Sequence, residues 1–92
     1  MAKFSNQEKV YSALIASYWK SILKDSFEKD QVKVVFENSK IQRLKNGTLL
    51  IIISDSMVAS EVHIKGTKII QNINNKLQKK IVKKIQIVVK NN

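Results

Sequence analysis

Asparagine followed by glycine at positions 46 and 47 separates a polar stretch compatible with a strand (Ser39–Lys45) from an apolar, β-branched run (Thr48–Ile53). Both residues tolerate the positive φ that a two-residue hairpin turn demands, so the pair predicts two antiparallel strands and fixes where they turn. Leu49 to Ile53 is apolar at every position, as a strand covered on both faces would be. A helical pattern from about Ser56 to Gln78 follows, and a β-branched run from Ile81 to Val89 closes the chain. The expected order of this half is hairpin, long helix, strand.

Laid out at about 100° per residue, Val58, Val62, Gly66, Ile69, Ile73 and Leu77 fall in one line, the face such a helix would bury against a sheet. Gly66 inside that line costs roughly 1 kcal/mol relative to alanine, which points to close approach of another backbone. Beside the line, Lys65, Lys68, Asn72, Lys76 and Lys79 share an arc of roughly 80°. That arc reads either as a phosphate-tracking surface or as a solvated face in a lysine-rich chain. Ser54-Asp55-Ser56 supplies candidates for the N-cap, and Lys79 and Lys80 suit the negative end of the helix dipole.

Upstream, Ser5-Asn6-Gln7-Glu8 has the form of a capping box. From there Val10, Tyr11, Leu14, Ile15, Tyr18, Trp19 and Ile22 recur at helical spacing, predicting a helix that ends near Lys24. Tyr18 and Trp19 are expected in the core, although exposed aromatics could stack on bases. Asp25–Asn38 is ambiguous: Val32, Val34 and Phe36 alternate like a strand, while Phe27, Val32, Val35 and Phe36 would share a face of a short helix. Three strands, with Val88 beside Val89 making the last one partly two-faced, need more cover than two helices give. Either Asp25–Asn38 supplies it or a partner docks on the open side.

Ninety-two residues make one domain, residues 1–92, with no linker or internal repeat. Seventeen basic against seven acidic residues give a net charge of +10, which favours a polyanionic partner, nucleic acid before an anionic membrane. All but Arg43 are lysine. Because bidentate reading of base edges favours arginine, sequence-independent backbone contact is expected. No stretch is apolar enough for a signal peptide or a membrane span, so a cytoplasmic protein without membrane contact is expected. The absence of cysteine removes disulfide and thiolate-metal chemistry and agrees with a reducing compartment.

His63 is the only histidine, and neither Asp55 nor Glu61 shares its helical face as a positioning partner would. The scattered carboxylates form no metal-ligand cluster, and glycine only at 47 and 66 rules out a glycine-rich phosphate loop. Neither an enzyme nor a metal, cofactor or small-molecule site is expected.

The order of landmarks resembles the DciA-like family of bacterial replicative-helicase loaders. It runs through "GTLLIIISDS", "VASEV" opening a helix, "IIQNINNKL" ending it, and "IVKKIQIVV". Gly47 and Leu49 match its "G-x-L", Glu61-Val62 its "E-L", Ile73-Asn74 its "I-N", and Val82 with Ile85 its "V-x-x-I"; the tryptophan usual before the "E-L" is Val58 here. The resemblance implies an α+β, KH-like domain with an N-terminal helix, a short second helix in Asp25–Asn38, a β-hairpin, a long helix and a final strand in a three-stranded sheet. It further implies DNA contact and the replicative helicase as partner. The G-x-x-G loop with which KH domains clamp a nucleic-acid backbone is missing, since Lys65-Gly66-Thr67-Lys68 reads as helix interior.

The candidate DNA-binding residues are therefore Lys65, Lys68, Lys76 and Lys79, with Lys80, Lys83 and Lys84 at the helix–strand junction and Arg43 and Lys45 at the hairpin. An RNA-binding KH-like module, for instance a ribosome-associated one, and a protein–protein adaptor remain as alternatives.

Overall fold

A computed structural model describes residues 2–90, and side chains for residues 7–90. The element order is α1 (Ala2–Ser26), α2 (Lys29–Glu37), β1 (Ser39–Lys45), β2 (Thr48–Ile53), α3 (Ser56–Ile64), α4 (Gly66–Leu77) and β3 (Lys84–Val89). This is the α+β, KH-like order that the resemblance implies. The sheet runs β1-β2-β3, antiparallel at the hairpin and parallel between β2 and β3.

The turn forms as expected. Asn46 and Gly47 have φ of 51° and 81°, the left-handed values of a hairpin turn whose twist matches its strands. The turn is anchored from α1, because the Glu8 carboxylate accepts from the Asn46 backbone N–H at 2.6 Å. That contact replaces the expected capping box. The helix already begins at Ala2, upstream of Ser5, whose side chain lies outside the described residues.

One face of the sheet carries the core. Leu49, Ile51 and Ile53 of β2 are fully buried, and their register partners Leu44, Ile41 and Ser39 on β1 point the same way. Against this face pack Ile15, Trp19, Ile22 and Leu23 of α1, Val32 and Val35 of α2, Val58 and Val62 of α3, and Ile69 and Ile73 of α4. A polar relay joins three elements where α2 hands over to β1. The Trp19 indole N–H donates to Ser39 Oγ at 2.8 Å, and Ser39 Oγ donates to the Val35 carbonyl at 2.6 Å.

Several expectations are corrected. Within Asp25–Asn38 the short helix that the resemblance implies forms over Lys29–Glu37, but α2 joins the same helical layer rather than covering the second face, and its Phe36 stays exposed. Val10 and Tyr18 are exposed as well; Val10 lies roughly 140° round α1 from Ile15. The last strand begins at Lys84 rather than Ile81. The long helix is two, broken at Lys65 (φ −87°, ψ 7°). The apolar line continues across the break while its partners change: α3 lies against β2, β3 and α2, whereas α4 lies mainly against α1. Gly66 opens α4, and no atom lies within 4 Å of where its Cβ would be, so no backbone approaches it.

Asn74 determines how the chain leaves α4. The helix ends at Gln78 in the left-handed conformation (φ 57°), and the Asn74 amide then clasps the linker. Its Oδ1 accepts from Ile81 N–H at 3.0 Å and Val82 N–H at 2.9 Å, while its Nδ2 donates to the Val82 carbonyl at 2.9 Å. Replacing Asn74 with alanine strands these backbone groups, at a cost of about 2 kcal/mol. The melting temperature should fall by roughly 8–16 °C for a domain of this size. A fall below about 2 °C in thermal unfolding would show that other contacts hold the linker.

Candidate nucleic-acid interface

The second face of the sheet is not covered. Lys40, Arg43 and Lys45 of β1 and Lys84 and Gln86 of β3 are exposed, and Thr48, Leu50, Ile52 and Val88 between them are only half-buried. Register puts these side chains on one face: Lys40 pairs with Ile52, Arg43 with Leu50, Lys45 with Thr48, and Thr48 in turn with Lys84. With strands about 4.8 Å apart, Lys45 and Lys84 flank Thr48 across the sheet. Of the two expected covers for β2, the one from Asp25–Asn38 is not found, since the strand's burial alternates strictly; the other is a docked partner.

A β-bulge makes this arrangement possible. Ile41 and Leu44 are three residues apart, and a regular strand would send one inward and the other outward. The register shift between Ile41 and Arg43 inserts Gln42 as an extra residue, so both apolar side chains face the core and Lys40, Arg43 and Lys45 all face out. Sequence reasoning missed Lys40. The spacing of Ile41 and Leu44 within a predicted strand was the signal that could have found it.

At the hairpin end a second basic group joins the first. The Gly47 carbonyl accepts from the backbone N–H groups of both Lys83 and Lys84, at 2.8 and 3.1 Å, and the Lys83 side chain lies over Gly47. Lys79, Lys80 and Lys83 line a shallow depression of about 730 Å³ at the foot of α4, with Gln71, Asn75 and Gln78 as its polar wall. Six of the expected residues therefore gather around one end of the sheet: Arg43, Lys45, Lys79, Lys80, Lys83 and Lys84.

Lys65, Lys68 and Lys76 do not join them. Lys65 sits at the helix break and Lys68 in the first turn of α4. The arc they were to share runs along the seam with α1: Asn72 Nδ2 donates to the buried Ser26 Oγ at 2.8 Å, and Lys76 Nζ lies 6.0 Å from the centroid of the Tyr18 ring. A G-x-x-G clamp is absent for a further reason. The break is a single residue, and the fourth position from Gly66 is the fully buried Ile69.

Trp19 is core, as expected. His63 is exposed on α3. Among the described residues no group of His, Cys, Asp and Glu could hold a metal ion, and no helix is long and apolar enough to cross a membrane.

Comparison with curated proteins gives no match. A family model described as "Dna[CI] antecedent, DciA" matches residues 3–87, nearly the whole chain. Its match spans both helices before the sheet as well as the hairpin, the α3–α4 pair and most of β3. The chain belongs to the DciA family, whose role is in the loading of the replicative helicase.

Proposed function

We propose that this protein binds single-stranded or forked DNA without sequence preference and, through that contact, recruits or helps load the replicative helicase. The observation that carries the DNA half is the uncovered sheet face. Its register aligns Lys40, Arg43, Lys45 and Lys84 around a half-buried apolar strip, and Lys79, Lys80 and Lys83 extend the charge past the hairpin. The net charge of +10 supplies the attraction, and a surface dominated by lysine holds phosphates as point charges rather than reading bases. Family membership supports the helicase half.

On this reading Lys65, Lys68 and Lys76 contribute to the general field and less to direct contact. A phosphate neutralised on a single strand contributes about 0.7 to the slope of log affinity against log salt. Replacing Arg43, Lys45 and Lys84 together by glutamine should flatten the slope for an oligothymidylate by roughly 2, and the matched replacement of Lys65, Lys68 and Lys76 by less than about 0.7. The reverse order would move the DNA contact to α4.

The helicase half is checked by size-exclusion chromatography of the protein with its host's replicative helicase, with and without forked DNA. Co-elution is expected, and DNA should strengthen it. Separate elution under both conditions would contradict recruitment. Tighter binding to a matched RNA strand than to DNA would favour an RNA-binding module, because only RNA offers the 2′-hydroxyl.

A further inference from the structure

A second basic surface lies on the helical layer, away from the uncovered sheet face. α1 and α2 diverge to leave a groove of about 660 Å³, floored by Val32 and Phe36 and edged by Lys20 and Lys24 from α1 and by Lys29 and Lys33 from α2. In each pair the lysines are four residues apart, one turn along the helix, so two cationic rails run beside an apolar floor. Glu37 is the single acidic residue on the rim.

From this groove we infer a docking site for a protein partner, which inserts a short acidic segment with one apolar or aromatic anchor residue. Charge complementarity selects the acidic flanks, with four lysines lining the groove against one glutamate. The anchor is selected by Phe36, a large apolar side chain 39% exposed to solvent on α2, together with the lysine stems that widen the floor. Nucleic acid fits the same groove less well. Single-strand binders stack bases on the faces of aromatic rings, but the Lys20 ammonium stands over the Phe36 ring at 5.5 Å from its centroid. That contact places a cation over one face of the ring, and a base would have to displace Lys20 to stack there. The proposal goes beyond the DNA reading and does not depend on it, because the groove and the sheet face share no residue.

The test is a heteronuclear NMR titration of the whole isotope-labelled protein at physiological salt with three probes. These are a short synthetic peptide of aspartates around one phenylalanine, the same peptide with serine in place of the phenylalanine, and an oligothymidylate. The phenylalanine peptide should shift the amides of residues 20–37 and leave those of 40–50 and 84–90 in place, and the serine peptide should bind about tenfold more weakly, as expected for loss of an anchor. Phe36→Ser should weaken the phenylalanine peptide about tenfold. Lys24→Glu with Lys33→Glu should do the same without changing Val32 or Phe36; Phe36→Ser should keep the wild-type affinity for oligothymidylate, and in the charge-reversed pair oligothymidylate should still shift the amides of 40–50 and 84–90. Any of three results would overturn the proposal: shifts at residues 20–37 with oligothymidylate and not with the peptide, peptide shifts confined to the sheet face, or equal binding of the two peptides.

Discussion

The carbonyl oxygen of Gly47 is the point on which the fold turns. It accepts from two successive backbone N–H groups, those of Lys83 and Lys84, and so starts a parallel strand beside a hairpin. A parallel partner has to be brought back by a long crossover, here α3, α4 and an extended linker. The backbone at Gly47 has positive φ, and the Lys83 side chain lies over its α-carbon, where a Cβ would meet Lys83 Cδ at 3.2 Å. Both facts call for glycine. The Asn74 clasp sets the other end of the linker, and the two together deliver Lys79 to Lys84 to the same end of the sheet as Arg43 and Lys45.

With the crossover helices committed to one face of the sheet, the opposite face stays bare. Its character then follows from strand parity. Lysine, arginine and glutamine take most of the outward positions on β1 and β3, so the bare face is basic at its edges and apolar along β2 and at Val88. Lone half-exposed aliphatics such as Leu50 and Ile52 are tolerable there because each is flanked by a charged or polar neighbour across the ladder. The helical layer carries its own lysines on the α1–α2 side, and the protein thereby presents positive charge in two directions.

Much of this was legible in the sequence wherever short-range chemistry decides. Asn46-Gly47 gave both strands of the hairpin with the boundaries observed, and the spacing of Ile69, Ile73 and Leu77 gave the buried face of α4. The motifs behind the family resemblance also land on residues that hold the fold: Leu49, Val62 and Ile73 are fully buried, Val82 nearly so, and Asn74 clasps the linker. The remainder was hidden for physical reasons. The break at Lys65 preserves the apolar line and changes only its direction, which a helical wheel does not see. In Asp25–Asn38 the periods of strand and helix coincide on Val32 and Phe36. The bulge at Gln42 reverses strand parity, so Lys40 falls beside Arg43 only when the three-residue spacing of Ile41 and Leu44 is read as a bulge. The lysines proposed to contact DNA lie outside the specified positions of the family motifs, Lys83 and Lys84 being the two variable positions of "V-x-x-I", and so the resemblance pointed to a role without locating its surface.

The central claim is that DNA lies across the bare sheet face and the hairpin end. The most direct measurement is amine-reactive labelling of the protein with and without an oligothymidylate, read lysine by lysine by mass spectrometry. The account predicts that Lys40, Lys45, Lys83 and Lys84 lose label when DNA is bound while Lys65 and Lys68 keep it. Protection of Lys65 and Lys68 with unchanged labelling of Lys40, Lys45 and Lys84 would contradict it.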